Sequence, residues 1–394
     1  MNPTTPILIN QPSEIIINIL SRLPIRTILS CRCVCKRLFD LLSTPEFAES
    51  HLSLSTHGLL IGQLGRNHDD TCQIFEFVDE FELQHHNLHY NEVMKFDPRV
   101  SIGFSDGKLL ISGSVNGILC LLGEESKLYD VLYLCNPITR EHIALPRIEG
   151  TVEYPDISEY GFGVSRISGQ YKVLRNVRRR SQDRQAAPDS TTQKYECLVY
   201  TVGTRSWRKI QPGKPFGHFH SSFSLFLNGN LHGFRNSENY SNMLISCFDL
   251  ETESFKPFPP PPPPLDSPGF GTLGILDDCL CYIDNSSQDV DILVIWMMKE
   301  YGVKESWTKQ LVIEAGGFVG LFYESIYPVK VFKDGDILFN YQNVELFYFS
   351  KKTKTCEELD FVNQDERGRI EAIPHNSSFL SLKSFDGENV ELFS

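Results

Sequence analysis

The stretch KLLISGSVNGILCLL at 108–122, followed by YLCNPITREHIALP at 133–146, contains the pattern that decides the fold. In the first segment two apolar runs flank Asn116-Gly117, a dipeptide that readily takes the positive φ angles of a tight hairpin turn. In the second, an apolar strand precedes a turn with Thr139 and a strand that begins near His142. Together the two segments predict a pair of hairpins, which is one four-stranded antiparallel sheet.

Both phrases recur along the chain at a spacing of about 50 residues, close to that of kelch-type propeller blades. Further hairpin turns are expected at Asn228-Gly229, Asp277-Asp278 and Asp334-Gly335, and the second phrase returns with Thr204, Thr252 and Thr353, before strands near Trp207, Phe255 and Cys356. Five units lie between about 110 and 362, and strands at 58–83 and 369–393 are expected to complete a sixth blade without exposed edges. An open sandwich or a shorter stack of sheets is the alternative.

Residues 12–52 follow a helical pattern instead. In PSEIIINILSRLP, at 12–24, Ile and Leu residues recur on one broad face, which Pro12 begins and Pro24 ends. Thr44 and Pro45 predict the start of a further short helix through about His51. We therefore predict an α+β multidomain protein with a tail at 1–11, a small all-α bundle at 12–52 and an all-β propeller-like domain of about six blades at 58–394. So small a bundle with so much apolar surface is expected to face a partner.

Composition excludes several classes of protein. The chain has 37 basic and 50 acidic side chains, and the net charge of -13 argues against a general binder of nucleic acid or anionic membranes. The N-terminus has no basic signal region, and no stretch approaches the ~18 apolar residues of a membrane span, so we expect no membrane insertion. Eleven scattered cysteines are typical of buried thiols in a reducing compartment. We expect the protein in the cytoplasm, the nucleus or both.

The segment SCRCVCKRL at 30–38 has three cysteines at alternate positions. One helix over 28–42 would direct Cys31 and Cys35 to its apolar side and Cys33 nearly opposite. The apolar side would also carry Val34, Leu38, Leu41 and Leu42, and the opposite side Arg37 and Asp40. Sulfurs that diverge in this way cannot bind one tetrahedral metal ion. Basic neighbours can lower a thiol pKa, but we interpret the segment as a core helix rather than a metal or redox site.

Other signatures of chemistry are weak. The sequence lacks a Walker loop, a nucleotide-binding glycine fingerprint, an HExxH motif and a GxSxG elbow. Two histidine groups, His218 and His220 with His232, and His85 with His86 and His89, lack the partners of a metal site. Cys279 and Cys281 alternate on a predicted strand and are interpreted as small core residues. We predict no catalytic residue, no cofactor and no metal.

Two segments interrupt the repeat. The polar segment 176–194, with Arg178, Arg179 and Arg180, is interpreted as a solvated loop between two strands of one blade, and a site for an acidic or phosphorylated ligand is the alternative. The proline-rich segment 256–269 is interpreted as a stiff connector between blades, and a ligand for a proline-binding module is the alternative.

A family resemblance covers nearly the whole chain. PSEIIINILSRLPIRTILSCRCVCKRLFDLL, at 12–42, resembles the F-box of plant F-box proteins. The segments YLCNPITREHIALP, YGFGVSRISGQYKVL, VYTVGTRSWRKI and LGILDDCLCYI are similar to the F-box-associated interaction domain of the same proteins. The resemblance implies that the chain docks on a Skp-family adaptor, which is attached to a cullin whose RING subunit recruits a ubiquitin-conjugating enzyme. The chain would then select a protein substrate and supply no catalytic residue.

The resemblance also implies an adaptor-binding surface. The residues that match positions forming or supporting it are Pro12, Ile16, Ile19, Leu20, Leu23, Pro24, Leu29, Val34 and Cys35. Two residues depart from the family pattern, namely Gln11, where leucine is usual, and Leu38, where many plant members have tryptophan. Loss of one large anchor would cost about 1–2 kcal/mol of binding free energy.

Other functions are compatible with these residues. An adaptor-bound scaffold or a glycan-binding module would act outside ubiquitination, and an enzyme would use the central channel of the propeller. The sequence does not determine the substrate, or whether phosphorylation or glycosylation is needed, because recognition depends on loops from several blades. Candidate substrate surfaces are the turns near Asn116, Asn228 and Asp334, or the loop 176–194 on the opposite face.

Overall fold

The computed structural model describes residues 10–55, 58–64, 70–77, 90–105, 107–125, 129–147, 158–179, 194–211, 225–236, 243–262, 271–284, 292–314, 325–359 and 369–393. The chain divides into two compact units. Unit 1 comprises Met1–Gly123, Leu132–Leu145 and Ile373–Ser394. Unit 2 comprises Glu124–Val131 and Pro146–Ala372.

Four short helices begin the chain: Ser13–Leu20 (α1), Ile25–Arg32 (α2), Lys36–Leu41 (α3) and Pro45–Leu54 (α4). Pro12 and Pro24 stand directly before α1 and α2, where a fixed φ suits the entry to a helix. Thr44 begins α4, because its hydroxyl accepts a hydrogen bond from the backbone N–H of Phe47 at 3.3 Å. Pro45 takes the first helical position, so the predicted start of this helix is confirmed.

The predicted single helix over 28–42 is wrong. Cys33 and Val34 form a turn after α2, and Cys35 is extended, with φ −159° and ψ 159°. Ile28 on α2 and Leu38 on α3 are both buried in one core. In one straight helix these two side chains would lie about 15 Å apart along the axis and roughly 80° apart around it. The break lets both helices bury an apolar side.

The β region contains six sheets, which we number as blades in chain order. Blades 3 to 6 are formed by consecutive antiparallel strands. Blade 3 has β8 to β11, at Ser158–Val164, Tyr171–Arg179, Lys194–Thr201 and Trp207–Ile210. Blade 4 has β12 to β15, at Leu225–Leu227, Asn230–Asn236, Met243–Asp249 and Ser254–Pro257. Blade 5 has β16 to β19, at Thr272–Leu276, Cys279–Asp284, Ile292–Met298 and Trp307–Glu314. Blade 6 has β20 to β23, at Ile326–Val331, Ile337–Tyr341, Glu345–Ser350 and Thr355–Glu358.

Blades 1 and 2 combine strands from both ends of the β region. Blade 1 has the order β24-β1-β2-β3, with β1 to β3 at Gly58–Leu64, Thr71–Phe77 and Tyr90–Phe96, and β24 at Arg369–His375. Blade 2 has β4 to β7, at Lys108–Val115, Ile118–Glu125, Tyr129–Asn136 and Glu141–Ala144. A fifth strand, β25 at Glu391–Leu392, pairs with β7. A short helix α5, at Pro98–Ile102, precedes blade 2.

The predicted fold class, a small helical region followed by a six-bladed β-propeller, is confirmed. Blade 1, which corresponds to the unit predicted at the two ends of the β region, does join strands from both ends, but two details differ from the expectation. Its strand β3 lies at Tyr90–Phe96, beyond the predicted strand segment 58–83. The end of the 369–393 segment covers the edge strand of blade 2 instead, which hides backbone groups that would otherwise be unpaired.

Turn chemistry explains most of the hairpins. Asn116-Gly117, Asn228-Gly229 and Asp277-Asp278 all have positive φ in two successive residues, as their sequences predict. The β20–β21 turn is different. There only Gly335 has a positive φ, and Phe332 N–H donates to the Asp336 carbonyl at 2.8 Å across a longer loop.

The Thr-containing phrase also has a common backbone shape. Thr139, Thr204, Thr252 and Thr353 are each followed by a residue with φ between 52° and 59°, namely Arg140, Arg205, Glu253 and Lys354. The positive φ turns the chain directly into the last strand of the blade, so a repeated sequence phrase corresponds to a repeated turn.

Apolar side chains fill the space between neighbouring blades of unit 2. Leu174 of blade 3 packs with Phe248 of blade 4, and Phe258 of blade 4 packs with Leu280 of blade 5. Two tryptophans, each at the start of the last strand of a blade, also donate hydrogen bonds to the chain that follows the last strand of the preceding blade. Trp207 Nε1 donates to the Pro146 carbonyl at 2.8 Å, and Trp307 Nε1 donates to the Pro259 carbonyl at 3.2 Å.

The two interrupting segments lie where the repeat predicts. The segment 176–194 joins β9 to β10 within blade 3, although β9 continues to Arg179, and residues 180–193 lie outside the described residues. The proline-rich segment begins inside β15, with Lys256 and Pro257, and then leads from blade 4 toward β16 of blade 5. Its last residues, 263–269, also lie outside the described residues.

Three buried histidines predict an acid-sensitive fold. Burial lowers the pKa of His51, His232 and His375 from 6.5 to about 4. Above pH 6.5 both the folded and the unfolded chain hold neutral imidazoles. As the pH falls toward 4, the unfolded chain binds protons that the folded chain does not, so the free energy of unfolding decreases. We expect a loss of about 1–2 kcal/mol per histidine between pH 7 and pH 5.

Thermal unfolding followed by circular dichroism at pH 7 and pH 5 measures this loss. A His51→Met variant keeps an apolar side chain and removes one titrating group, so its melting temperature should fall less between the two pH values. Equal melting temperatures of the native protein at both pH values would contradict the prediction.

Candidate functional site

Helix α1 divides its apolar residues between two sides. Ile16 and Leu20 are 0% and 2% exposed and lie in the core of unit 1. Ile15 and Ile19 are 46% and 43% exposed, and a spacing of four places them next to each other on the outer side of the helix. The segment SEIIINIL has more apolar residues than one side of a helix can bury. The helix therefore keeps a large apolar stripe in solvent.

The turn between α2 and α3 presents a second apolar position. Val34 is 66% exposed, because α2 ends at Arg32 and the backbone turns before Cys35. Phe39 on α3 is also exposed, and the guanidinium of Arg32 lies 5.1 Å from its ring centroid. This cation–π contact orients Phe39 at the surface.

Exposed apolar side chains are concentrated in the helical region. Among the described residues, twelve large apolar side chains are exposed, and five of them lie between residues 10 and 55. These five are Ile15, Ile19, Val34, Phe39 and Leu54. Since buried apolar area stabilises complexes, such a surface on a small helical element is typical of a docking site for another protein.

The same region carries positive charge in an acidic protein. From Arg22 to Arg37 the chain has five basic residues and no acidic one, against a net charge of -13 for the whole chain. Arg22, Arg26, Lys36 and Arg37 are exposed. Apolar side chains between cationic ones favour a partner whose surface is apolar and acidic.

The helices are held by a core that they share with the β strands of unit 1. Phe47 and His51 of α4 pack against the ring of Phe379, with centroid distances of 5.5 and 5.2 Å. The backbone N–H of Ile25, at the start of α2, donates to Glu76 Oε1 of β2 at 3.4 Å, and burial raises the pKa of Glu76. The apolar helical surface is thus the outer side of an element whose inner side belongs to the β core.

The nine residues predicted to bind an adaptor occupy three kinds of position. Pro12, Ile19, Pro24 and Val34 are exposed, Leu23, Leu29 and Cys35 are half-buried, and Ile16 and Leu20 are buried. The two buried residues can support a docking surface but cannot contact a partner. Ile15 and Phe39 are exposed and were not predicted, although the apolar periodicity of α1 already contained Ile15.

The two residues that depart from the family pattern differ in burial. Leu38 is buried in the core, so it affects the packing of the helices rather than their outer side. At Gln11 the backbone carbonyl accepts a hydrogen bond from Arg37 at 3.0 Å, a contact that any side chain at this position permits.

Cysteine and histidine contribute to packing in the described part of the chain. Cys31 and Cys35 are half-buried and Cys33 is exposed, where its thiol donates to the Leu29 carbonyl at 3.5 Å. Cys281 is buried and Cys279 half-buried, and burial raises the pKa of both. The imidazole of His232 is buried with Nε2 at 2.9 Å from the Tyr301 hydroxyl.

Among the described residues, no group of three or more His, Cys, Asp or Glu side chains is arranged to hold a metal ion. The predicted histidine positions His85, His86, His89, His218 and His220 lie outside the described residues. Within the same described ranges, the helices are all too short or too polar to span a membrane.

Known proteins match both regions of the chain. A family model described as F-box domain matches residues 12–50, and one described as F-box associated beta propeller domain matches residues 75–379. F-box protein CPR1 of Arabidopsis thaliana is 28% identical over 376 residues, which cover 88% of this chain and 84% of that protein. An F-box/kelch-repeat protein of the same plant is 27% identical over 366 residues, with 86% and 90% covered. The similarity extends through the helical region and the propeller together.

Neighbouring residues on α1 should differ sharply in their effect on stability. We expect Leu20→Ala to lower the free energy of unfolding by about 2–5 kcal/mol, because it leaves a cavity in the core of unit 1. The matched variant Ile19→Ala removes an exposed side chain and should cost less than about 1 kcal/mol. Thermal or urea unfolding measures both, and equal losses would show that the outer side of α1 is packed rather than free.

Proposed function

Because the chain belongs to the family of F-box proteins that carry an F-box associated β-propeller domain, we propose that it is the substrate-recognition subunit of a Skp-cullin-F-box ubiquitin ligase. An F-box domain implies binding to a Skp-family adaptor, and members of the family are typically non-catalytic adaptors. The combination of F-box and propeller supports a substrate-recognition role in general. The proposal adds that this chain itself performs that role, without a catalytic residue of its own.

One observation carries the proposal beyond family membership. The helical region buries one side in the core of unit 1 and leaves Ile15, Ile19 and Val34 exposed beside a cationic segment. Because these side chains are exposed, they add little to the stability of this chain, whereas their burial against a partner would stabilise a complex. We therefore assign the adaptor contact to Pro12, Ile15, Ile19, Pro24 and Val34. Ile16 and Leu20 support this surface from beneath.

The mechanism requires positioning and no covalent step by this chain. The adaptor links the F-box to a cullin and its RING subunit, which recruits a ubiquitin-conjugating enzyme. The propeller holds a target protein on the same assembly. Ubiquitin is then transferred from the conjugating enzyme to the target while both are held on one assembly. Holding them together raises their effective concentration and therefore the rate of transfer.

Two further features belong to this proposal. We assign the F-box to residues 12–52 and the substrate-binding domain to 58–394. We also assign the protein to the cytoplasm, the nucleus or both, where adaptor and target would meet. A fluorescent fusion expressed in plant cells tests the second assignment directly.

Adaptor binding tests the proposed surface. We expect the native chain to bind a purified Skp-family adaptor, and the double variant Ile19→Asp with Val34→Asp to bind at least about tenfold more weakly, because two apolar contacts become charged. The matched control is Ile167→Asp with Val303→Asp, which exchanges two exposed apolar residues of the propeller for the same charge. Titration calorimetry measures the dissociation constants, and circular dichroism confirms that each variant is folded.

Equal affinity of the native chain and the Ile19→Asp/Val34→Asp variant would overturn the assigned surface. A scaffold that acts outside ubiquitination is tested separately in cells. If the chain recruits targets for degradation, its partners should accumulate when the proteasome is blocked, whereas partners of a scaffold should keep constant levels.

A further inference from the structure

The turn between β22 and β23 carries an unusual concentration of positive charge. Lys351, Lys352 and Lys354 are all exposed within four residues, SKKTKT being the local sequence. No hydrogen bond or ion pair to these three ammonium groups occurs among the described residues. We call these three residues the lysine turn. In a chain with a net charge of -13, it is a local reversal of sign.

The carboxylates nearest to the lysine turn are occupied by other donors. Asp336 accepts a hydrogen bond from the Tyr348 hydroxyl at 2.5 Å and another from the backbone N–H of Lys351 at 2.7 Å. Asp334 accepts from the backbone N–H of Asp336 at 3.0 Å. These acids stabilise the backbone of blade 6, and none of them forms an ion pair with an ammonium group of the lysine turn. The next acidic residue along the chain is Glu357. It follows Thr355 by two residues, so their backbones lie roughly 7 Å apart along β23.

The backbone of the lysine turn is held in one conformation. Lys354 has φ 57°, and its N–H donates to the Ser350 carbonyl at 2.8 Å. The hydroxyls of Thr353 and Thr355 are 2.7 Å apart and hydrogen-bonded. A ligand of this turn would therefore find its backbone already ordered, which lowers the entropic cost of binding.

The neighbouring β20–β21 turn lies beside the lysine turn. A Cβ atom added to Gly335 would lie 2.8 Å from Lys351 Cδ and 3.2 Å from its Nζ, so the side chain of Lys351 lies directly over this glycine. Lys333 is exposed in that turn, two residues before Gly335. Asp334, the next residue, is exposed as well, so the positive charge of this surface comes from the three residues of the lysine turn.

Equivalent turns in other blades of unit 2 use their charges differently. In blade 4, Glu253 binds Lys172 at 2.9 Å and Arg208 at 2.6 Å, which is an internal ion network. In blade 5, the turn 299–306 alternates Lys299 and Lys304 with Glu300 and Glu305. Blade 6 differs from both, since its lysine turn contains no acid and forms no internal ion network.

We propose that the lysine turn binds an acidic peptide segment of the protein that this chain recruits. Lysine ammonium groups attract carboxylates as point charges. The three in the lysine turn act together on a short segment, because salt screens a charge strongly only beyond about 8 Å. A long polyanion such as DNA would extend beyond the turn and meet the negative remainder of the surface. This inference rests on the proposed function, because it names the chemistry of the recruited target.

A fluorescein-labelled peptide of ten residues, alternating Glu and Gly, is the probe. Fluorescence anisotropy should show binding to the full chain at 50 mM salt and weaker binding at 200 mM, as expected for an electrostatic contact. A peptide with Gln in place of Glu should not bind. We expect Lys352→Glu with Lys354→Glu to weaken Glu-peptide binding at least tenfold, and Lys352→Gln with Lys354→Gln to weaken it less.

The matched control is Lys299→Glu with Lys304→Glu, which makes the same change in net charge in the equivalent turn of blade 5 and should keep most of the affinity. Equal loss in the two reversed variants, or no binding of the Glu peptide to the native chain, would overturn the inference. A single-stranded DNA decamer that binds as tightly as the peptide, with the same dependence on Lys352 and Lys354, would overturn it as well.

Failure of this inference and failure of the proposed function give different results. All lysine-turn variants should retain native affinity for the Skp-family adaptor, because the proposed adaptor contact consists of residues between Pro12 and Val34 and includes none of the substituted lysines. Adaptor binding without peptide binding would overturn the inference about an acidic segment and leave the proposed ligase role in place. Peptide binding without adaptor binding would remove the proposed ligase role and leave an acidic-peptide module.

Discussion

The apolar core that the short helices share with the first two blades is the constraint on which the rest of unit 1 depends. Four helices of six to ten residues cannot bury enough surface to fold alone. They bury Ile16, Leu20 and Phe47 against strands of the β region instead. This consumes one side of the helices and leaves the other in solvent. The F-box is therefore part of a larger core and not an independently folded domain on a linker.

The propeller region obeys a different constraint. Each blade is a twisted sheet that cannot bury both of its faces alone, so apolar side chains fill the spaces between neighbours, as Phe248 and Phe258 do in unit 2. The strands supply the side chains that pack between blades, so the charged residues that differ from blade to blade lie in the turns. Blade 4 uses the charges of its turn for an internal network, whereas blade 6 leaves three lysines in water. Turns of the same backbone shape therefore serve as structural ties in one blade and as a candidate binding surface in another.

Local sequence signals predicted much of this structure. Positive-φ dipeptides such as Asn116-Gly117 and the recurring Thr phrase located the hairpins, because the turns depend on a few adjacent residues. Thr44 and Pro45 located α4 for the same reason. The error over 28–42 has the opposite cause. A run of helix-compatible residues predicts one helix. The chain instead turns at Cys33 and Val34, so that Ile28 and Leu38 both pack in one core.

The candidate sites divide along the same line. The order of residues alone was enough to predict the helical and propeller regions, the family and the apolar character of residues 12–42, since all of these depend on local order and periodicity. It did not separate Ile19, which is exposed, from Leu20, which is buried, because both belong to one apolar face that is broader than the part of α1 packed against the core. Nor did it single out the lysine turn. Lys351 meets Gly335 only because antiparallel pairing brings two turns of blade 6 together across sixteen residues of chain, and that pairing was decided by the tertiary structure.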